Sequence, residues 1–151
     1  MVDPVIKEPA TFAKIPAGTR VSWGLNGATL ATAKLLQNAM GIGAMGEKGA
    51  FLKASRLIDT AHKYIGDMGE GEDKTFVFLD DPNDKNQEDL LASAKAKESV
   101  IFFIEYPNGR IAEVGIVLSS WTMQQVDAPD GKILQTEVYG KQNSVVWTKK
   151  A

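Results

Sequence analysis

The chain has 151 residues, 44% apolar and 24% charged, with no cysteine and a single histidine, a composition that suits one globular domain with a real core. The missing cysteines exclude a disulfide scaffold and thiolate metal sites, and a lone His62 removes most histidine-based catalysis and zinc chemistry. A formal net charge of −2 argues against a protein that grips nucleic acid by neutralising phosphates.

Residues 1–18 hold three of the six prolines, Pro4, Pro9 and Pro16. Each fixes φ and removes a backbone donor, which predicts an extended, non-helical arm that orders only against something else. This stretch lacks the pattern of a leader, and no apolar run approaches the ~20 residues of a membrane span. The expectation is a soluble protein made in the cytoplasm, with no membrane partner. Residues 19–25 alternate Val21, Trp23 and Leu25 with polar or small residues, a strand pattern, and Asn26-Gly27 closes a turn. Residues 28–36 favour helix by composition, but the hairpin turn before them predicts a strand.

Residues 38–51 read as a long glycine-rich loop. Its apolar residues Met40, Ile42, Met45 and Phe51 suit a protein contact that orders on assembly. Gly41, Gly43 and Gly46 also match the G-x-G-x-x-G dinucleotide fingerprint, which requires a buried parallel strand before it and a helix after it. A helix-like Ala/Leu stretch precedes it instead, and Gly49 interrupts the place where the helix should begin. The expected cofactor is therefore none.

Residues 52–65 contain the apolar pairs Leu57-Ile58 and Tyr64-Ile65, predicting two short strands or one bent strand, and residues 66–72 a turn. His62 has no second ligand at metal spacing and reads as an ordinary surface or packing residue. Residues 73–79 form a clear strand with Phe76 and Phe78 on one face. Asp81 before Pro82 has the form of a helix cap, predicting a helix over 82–97 with Leu90, Leu91 and Ala94 as its apolar stripe. Asp80, Asp81 and Asp84 lack calcium-loop spacing, so capping accounts for them better than metal binding.

Residues 99–106 are a strand apolar on both faces, which needs cover on both sides. Pro107-Asn108-Gly109 turns it into a long return strand over 111–126, with Gly115 and Ser119-Ser120 marking a bulge or bend. A turn at 127–131 leads to a final strand pair or one interrupted strand, and residues 148–151 read as frayed. Charge is uneven: residues 70–89 carry eight acidic and two basic side chains, whereas the segments on either side are mildly basic. That block is either a solvated surface or a surface complementary to another copy of the chain.

The ordered set Asp59-Thr60-Ala61-His62-Lys63-Tyr64-Ile65, Asp73 to Phe78, Asp81-Pro82-Asn83-Asp84, the Gln/Leu/Ala helix, Phe103 to Gly109 and Trp121 resembles the major tail (tail tube) protein of long non-contractile tailed bacteriophages. The resemblance covers about residues 52–147. It implies a mainly β, β-sandwich or barrel-like tail tube domain over 19–147 with one flanking helix. Six copies would form a ring, and stacked rings a tube that conducts DNA without binding it specifically. It implies no enzymatic activity, a location in the virion tail after assembly in the bacterial cytoplasm, and as partners the chain itself, a tape measure protein, a tail terminator and distal tail proteins. Glu105 and Glu113, near the central hairpin turn, are the lumen candidates, and the glycine loop with the N-terminal arm the candidates for ring-to-ring contact. Three alternatives stay open. They are the tube of a contractile tail or secretion system, a nucleotide-binding protein using Gly41 to Gly46, and a nucleic-acid-binding β-domain using Trp23, Tyr64 and Tyr106.

Overall fold

The computed structural model describes residues 5–46, 49–68, 73–126 and 133–150. The turn expected at 127–131 and most of that at 66–72 lie outside the described residues. Nine strands are described: β1 (Arg20–Leu25), β2 (Lys34–Leu35), β3 (Ala39–Ile42), β4 (Phe51–Lys53), β5 (Tyr64–Gly66), β6 (Asp73–Leu79), β7 (Ser99–Glu105), β8 (Arg110–Met123) and β9 (Gln135–Lys149). With them are a short helix α1 (Pro9–Phe12) and one longer helix α2 (Lys85–Lys95). Seven strands make one antiparallel sheet in the order β2-β1-β7-β8-β9-β6-β3, while β4 and β5 pair only with each other.

The sheet is strongly curled. β7 and β6 are three strands apart, about 14 Å on a flat sheet, yet the Phe102 and Phe76 rings stack with centroids 4.3 Å apart. The concave side so formed holds the core. Val21 and Trp23 of β1, Phe102 and Ile104 of β7, and Val114 and Leu118 of β8 lie there with Phe76, Phe78 and Val138. Helix α2 closes it with the expected stripe, since Leu90, Leu91 and Ala94 are all buried. The Trp23 indole N–H fastens sheet to helix by donating to the Asn86 carbonyl at 3.1 Å. Buried Gln87 donates to the Leu79 carbonyl at 3.1 Å, tying the helix to the end of β6.

The central hairpin forms as its sequence predicts. Gly109 alone takes positive φ, 92°, and the Tyr106 N–H donates to Arg110 across a three-residue loop at 2.8 Å. Its return strand is bulged at both predicted marks, with register shifts at Gly115/Ile116 and Leu118/Ser120. Of the two apolar pairs within 52–65, Tyr64-Ile65 lies in strand β5, whereas Leu57-Ile58 forms the turn of the hairpin and the partner strand β4 is Phe51–Lys53.

Five expectations are corrected. The helix does not start at Asp81 and Pro82. Asp81 Oδ1 accepts the Asn83 N–H at 3.0 Å and the Asp81 carbonyl accepts the Asp84 N–H at 3.1 Å, so Pro82 occupies the second position of a turn, a site it suits as well as a first helical turn. Asp84 is the residue at the N-cap. Residues 28–36 are not a strand but a 3-10 turn, Leu30–Thr32, followed by two-residue β2. Thr32 accepts the Thr29 N–H at 3.1 Å and donates back to the Thr29 carbonyl at 3.1 Å, and such local bonds compete with a sheet ladder.

Residues 38–51 are not wholly loop, because Ala39–Ile42 form edge strand β3 along β6. Gly41 therefore lies in an antiparallel edge strand with no helix after it, which removes the dinucleotide fingerprint. The arm is not entirely extended: Pro9 stands at the first position of α1, where a missing donor costs nothing. Finally, Thr148 and Lys149 are paired with Ile111 and Arg110 rather than frayed.

Candidate subunit-contact and lumen surfaces

Strand alternation gives the sheet a second face, turned away from α2. Phe103 and Glu113 are cross-strand partners on it, flanked by Ser22 and Val146. Glu105 shares that face, with the Arg20 guanidinium 4.0 Å away in a half-exposed ion pair. The two carboxylates named from sequence are thus brought to one region of one face. Phe103 is buried there although it belongs to no part of the helix-covered core, whereas Ile101 and Glu105 of β7 on the same face are half-buried.

A second polar cluster on this face escaped sequence reasoning. Tyr139 donates its hydroxyl hydrogen to Glu137 Oε2 at 2.5 Å, and the Gln124 amide donates to Glu137 Oε1 at 2.8 Å. Thr122 Oγ1 lies 2.9 Å from the Tyr139 hydroxyl. The Tyr139 bond first, then that of Gln124, holds the Glu137 carboxyl below its ordinary range. The available signal was the alternation of Glu137 and Tyr139 in the last strand, but their partners depend on the β8–β9 register and its bulges.

The β4–β5 hairpin presents apolar side chains to water. Every residue of both strands is exposed, and an isolated two-stranded hairpin is marginal at best in water. Phe51, Leu52, Tyr64 and Ile65 are all exposed, and Leu57 and Ile58 stand at 108% and 80% exposure beyond the strand ends. The Arg56 side chain and its backbone N–H both bond Asp59, hold its carboxyl below the usual range, and fix the tip between them.

Of the four apolar residues named as contacts, Phe51 and Met40 are exposed, whereas Ile42 and Met45 pack against the core. Lys74 donates to the Ala44 carbonyl and Gln142 to that of Gly46, securing the chain after β3. Of the four named residues, the exposed ones are Phe51 on the hairpin and Met40 on edge strand β3. In the N-terminal arm Val5, Ile6, Phe12 and Ile15 are exposed as well. Ile15 and Pro16 line a cleft of 270 Å³ with Tyr106 and Trp147.

A protein-family model described as the phage tail tube protein family matches residues 14–150. This chain belongs to that family. The tail tube fold extends to solved structures far away in sequence. An extracellular contractile injection system (PVC) sheath-tube complex contains a chain of similar fold, with TM-score 0.68, 13% identity, and 93% of this chain and 95% of that one covered. The tail of a gene transfer agent particle, solved with C6 symmetry, matches at TM-score 0.68 and 10% identity over 92% and 100% of the two chains. The SPP1 tail tube matches at TM-score 0.62 and 9% identity over 87% and 77%. No curated protein sequence matches the chain. Among the described residues no group of three metal-binding side chains occurs, and no helix is long and apolar enough to cross a membrane.

Proposed function

We propose that this tail tube protein assembles into hexameric rings that stack into a tube through which DNA leaves the virion. The family match over residues 14–150 carries this reading, and the unaccompanied apolar hairpin supports it, since neighbouring copies would cover what one chain leaves in water. A closed ring also removes the open edges at β2 and β3. The face away from α2 is the lumen wall in this proposal, with Glu105, Glu113 and Glu137 supplying carboxylates that repel phosphate and keep transit free of specific binding. The role is structural rather than enzymatic. Assembly takes place in the host cytoplasm, and a tape measure protein, a tail terminator and distal tail proteins meet the tube along its bore and at its ends.

Negative-stain electron microscopy with light scattering across concentration tests this reading. Rings or tubes with a central bore are expected, and a strict monomer in the presence of a tail initiator complex would overturn it. A tube within a contractile system is the second reading, favoured by the fold shared with the PVC sheath-tube complex. Stable binding of a sheath protein along the tube would establish it in place of a bare tail.

A further inference from the structure

The chain places the dipeptide Asn-Gly in two turns, Asn26-Gly27 after β1 and Asn108-Gly109 after β7. The pair carries a latent reaction, because the amide nitrogen of the glycine can attack the side-chain Cγ of the asparagine, and a residue without Cβ leaves that approach open. Asn38, Asn83, Asn86 and Asn143 are each followed by a residue with a side chain, so by sequence the two Asn-Gly pairs are the reactive ones. In the structure the two differ.

At the β7–β8 turn the groups the reaction needs are engaged. The Gly109 N–H donates to the Tyr106 carbonyl at 3.0 Å, the Gly109 carbonyl accepts the Lys150 N–H at 2.7 Å, and Asn108 Oδ1 accepts the Arg110 N–H at 3.1 Å. These bonds tie the turn to the ends of β7, β8 and β9. Attack there requires the Gly109 N–H to leave its acceptor and the Asn108 carboxamide to turn away from Arg110.

The turn after β1 is held by one bond, from the Ala28 N–H to the Leu25 carbonyl at 2.9 Å, with Asn26 and Gly27 at its two central positions. Both central residues are exposed, and Gly27 takes φ 97° with nothing within 4 Å of the place a Cβ would occupy. Among the described residues neither the Asn26 carboxamide nor the Gly27 N–H takes part in a hydrogen bond. Nucleophile and electrophile are therefore adjacent, solvated and unrestrained.

We infer that Asn26 is a site of spontaneous covalent modification, converting to aspartate and isoaspartate through a succinimide, and that Asn108 is protected from the same reaction by its turn. The Gly27 amide nitrogen forms a bond to Asn26 Cγ, and the Cγ–Nδ2 bond breaks. The amide proton passes by way of solvent to the departing nitrogen, which leaves as ammonia. Water then opens the five-membered imide. Opening at Cγ gives aspartate, and opening at the Asn26 main-chain carbonyl gives isoaspartate, whose backbone runs through the former side chain. Either product adds a negative charge at neutral pH. Isoaspartate also lengthens, by one carbon, a turn in which the Ala28 methyl fills the space beside Gly24.

Peptide mapping by mass spectrometry after incubation of the folded protein in mildly alkaline buffer tests this. With two hydrogen bonds to release first, Asn108 should convert more slowly than Asn26 by about tenfold or more. In urea above the unfolding midpoint the two sites should convert at similar rates, which assigns the difference to the fold. Isoelectric focusing should show an acidic species growing in wild type and missing from Asn26→Gln, whose longer side chain disfavours the five-membered closure; a matching circular dichroism melt checks the fold of that variant. Equal rates at the two sites in the folded protein, or faster conversion at Asn108, would overturn the inference. So would an Asn26 that stays intact over the time in which the unfolded chain converts, or an acidic species that grows in Asn26→Gln at the wild-type rate.

Discussion

Gly140 shows how tightly the bulged β8–β9 pair is built. A Cβ there would lie 2.4 Å from Ile116 Cγ2 and 3.0 Å from the Val117 carbonyl oxygen. The methyl of Ile116 can turn, but the backbone oxygen cannot without moving the strand. Gly140→Ala should therefore lose about 1–3 kcal/mol of stability, measured as a lower midpoint in urea. Glu137 makes a different point, because its environment sets charge more than packing. Its folded carboxyl titrates below the ordinary value, with the Tyr139 hydrogen bond the larger cause. That contribution to stability is present above the unfolded value and fades as pH falls through the folded one. Tyr139→Phe should raise the Glu137 titration midpoint seen by carboxyl NMR. Its stability deficit against wild type should be present at neutral pH and close in acid.

At the scale of elements, helix α2 ends in a form the sequence does not advertise. The Lys97 N–H donates to the Ala94 carbonyl and the Glu98 N–H to that of Ser93, both at 3.1 Å, the double bond of a Schellman ending. Lys97 occupies the position where glycine is usual, at φ 59°. Relief of that strain in Lys97→Gly should outweigh the added freedom of the unfolded chain, raising stability by a few tenths to about 1 kcal/mol, visible as a higher thermal midpoint. Strand β3 illustrates the opposite case. Gly41 and the glycines that follow it argue for a loop, but β6 would otherwise expose a row of backbone groups, and pairing with Ala39–Ile42 satisfies them. Removing residues 41–49 would therefore take away an edge strand and the core contact of Met45, whereas changes confined to Leu57 and Ile58 leave the sheet untouched.

For the whole molecule, assembly is the property that matters, and electrostatics bear on it directly. The acidic block of residues 70–89 includes Asp80, Asp81 and Asp84, whose turn follows β6, and the segments on either side are mildly basic. Raising salt from about 0.1 M to about 1 M shortens the screening length from ~10 Å to ~3 Å. The critical concentration for assembly should rise over that range, as followed by light scattering. A threshold that stays constant or falls would show that apolar burial alone drives assembly.

Much of this architecture is written locally. The alternation in β1, β6 and β7, the Leu90, Leu91 and Ala94 stripe, the Gly109 turn and the two bulges of β8 each depend on residues near in sequence, and the ordered set of segments suffices to suggest the family. Glu105 and Glu113 share a face through the strand period and the register that the three-residue turn sets between β7 and β8. Other features required the tertiary structure. Asp81-Pro82 serves a turn and a helix start equally well, and hydrogen bonds to Asn83 and Asp84 chose the turn. The edge role of β3, the inward packing of Ile42 and Met45, and the Glu137–Tyr139 cluster depend on which strands became neighbours. That neighbourhood is set by burial of one shared core across residues distant in sequence, a non-local free energy that no short stretch of the chain contains.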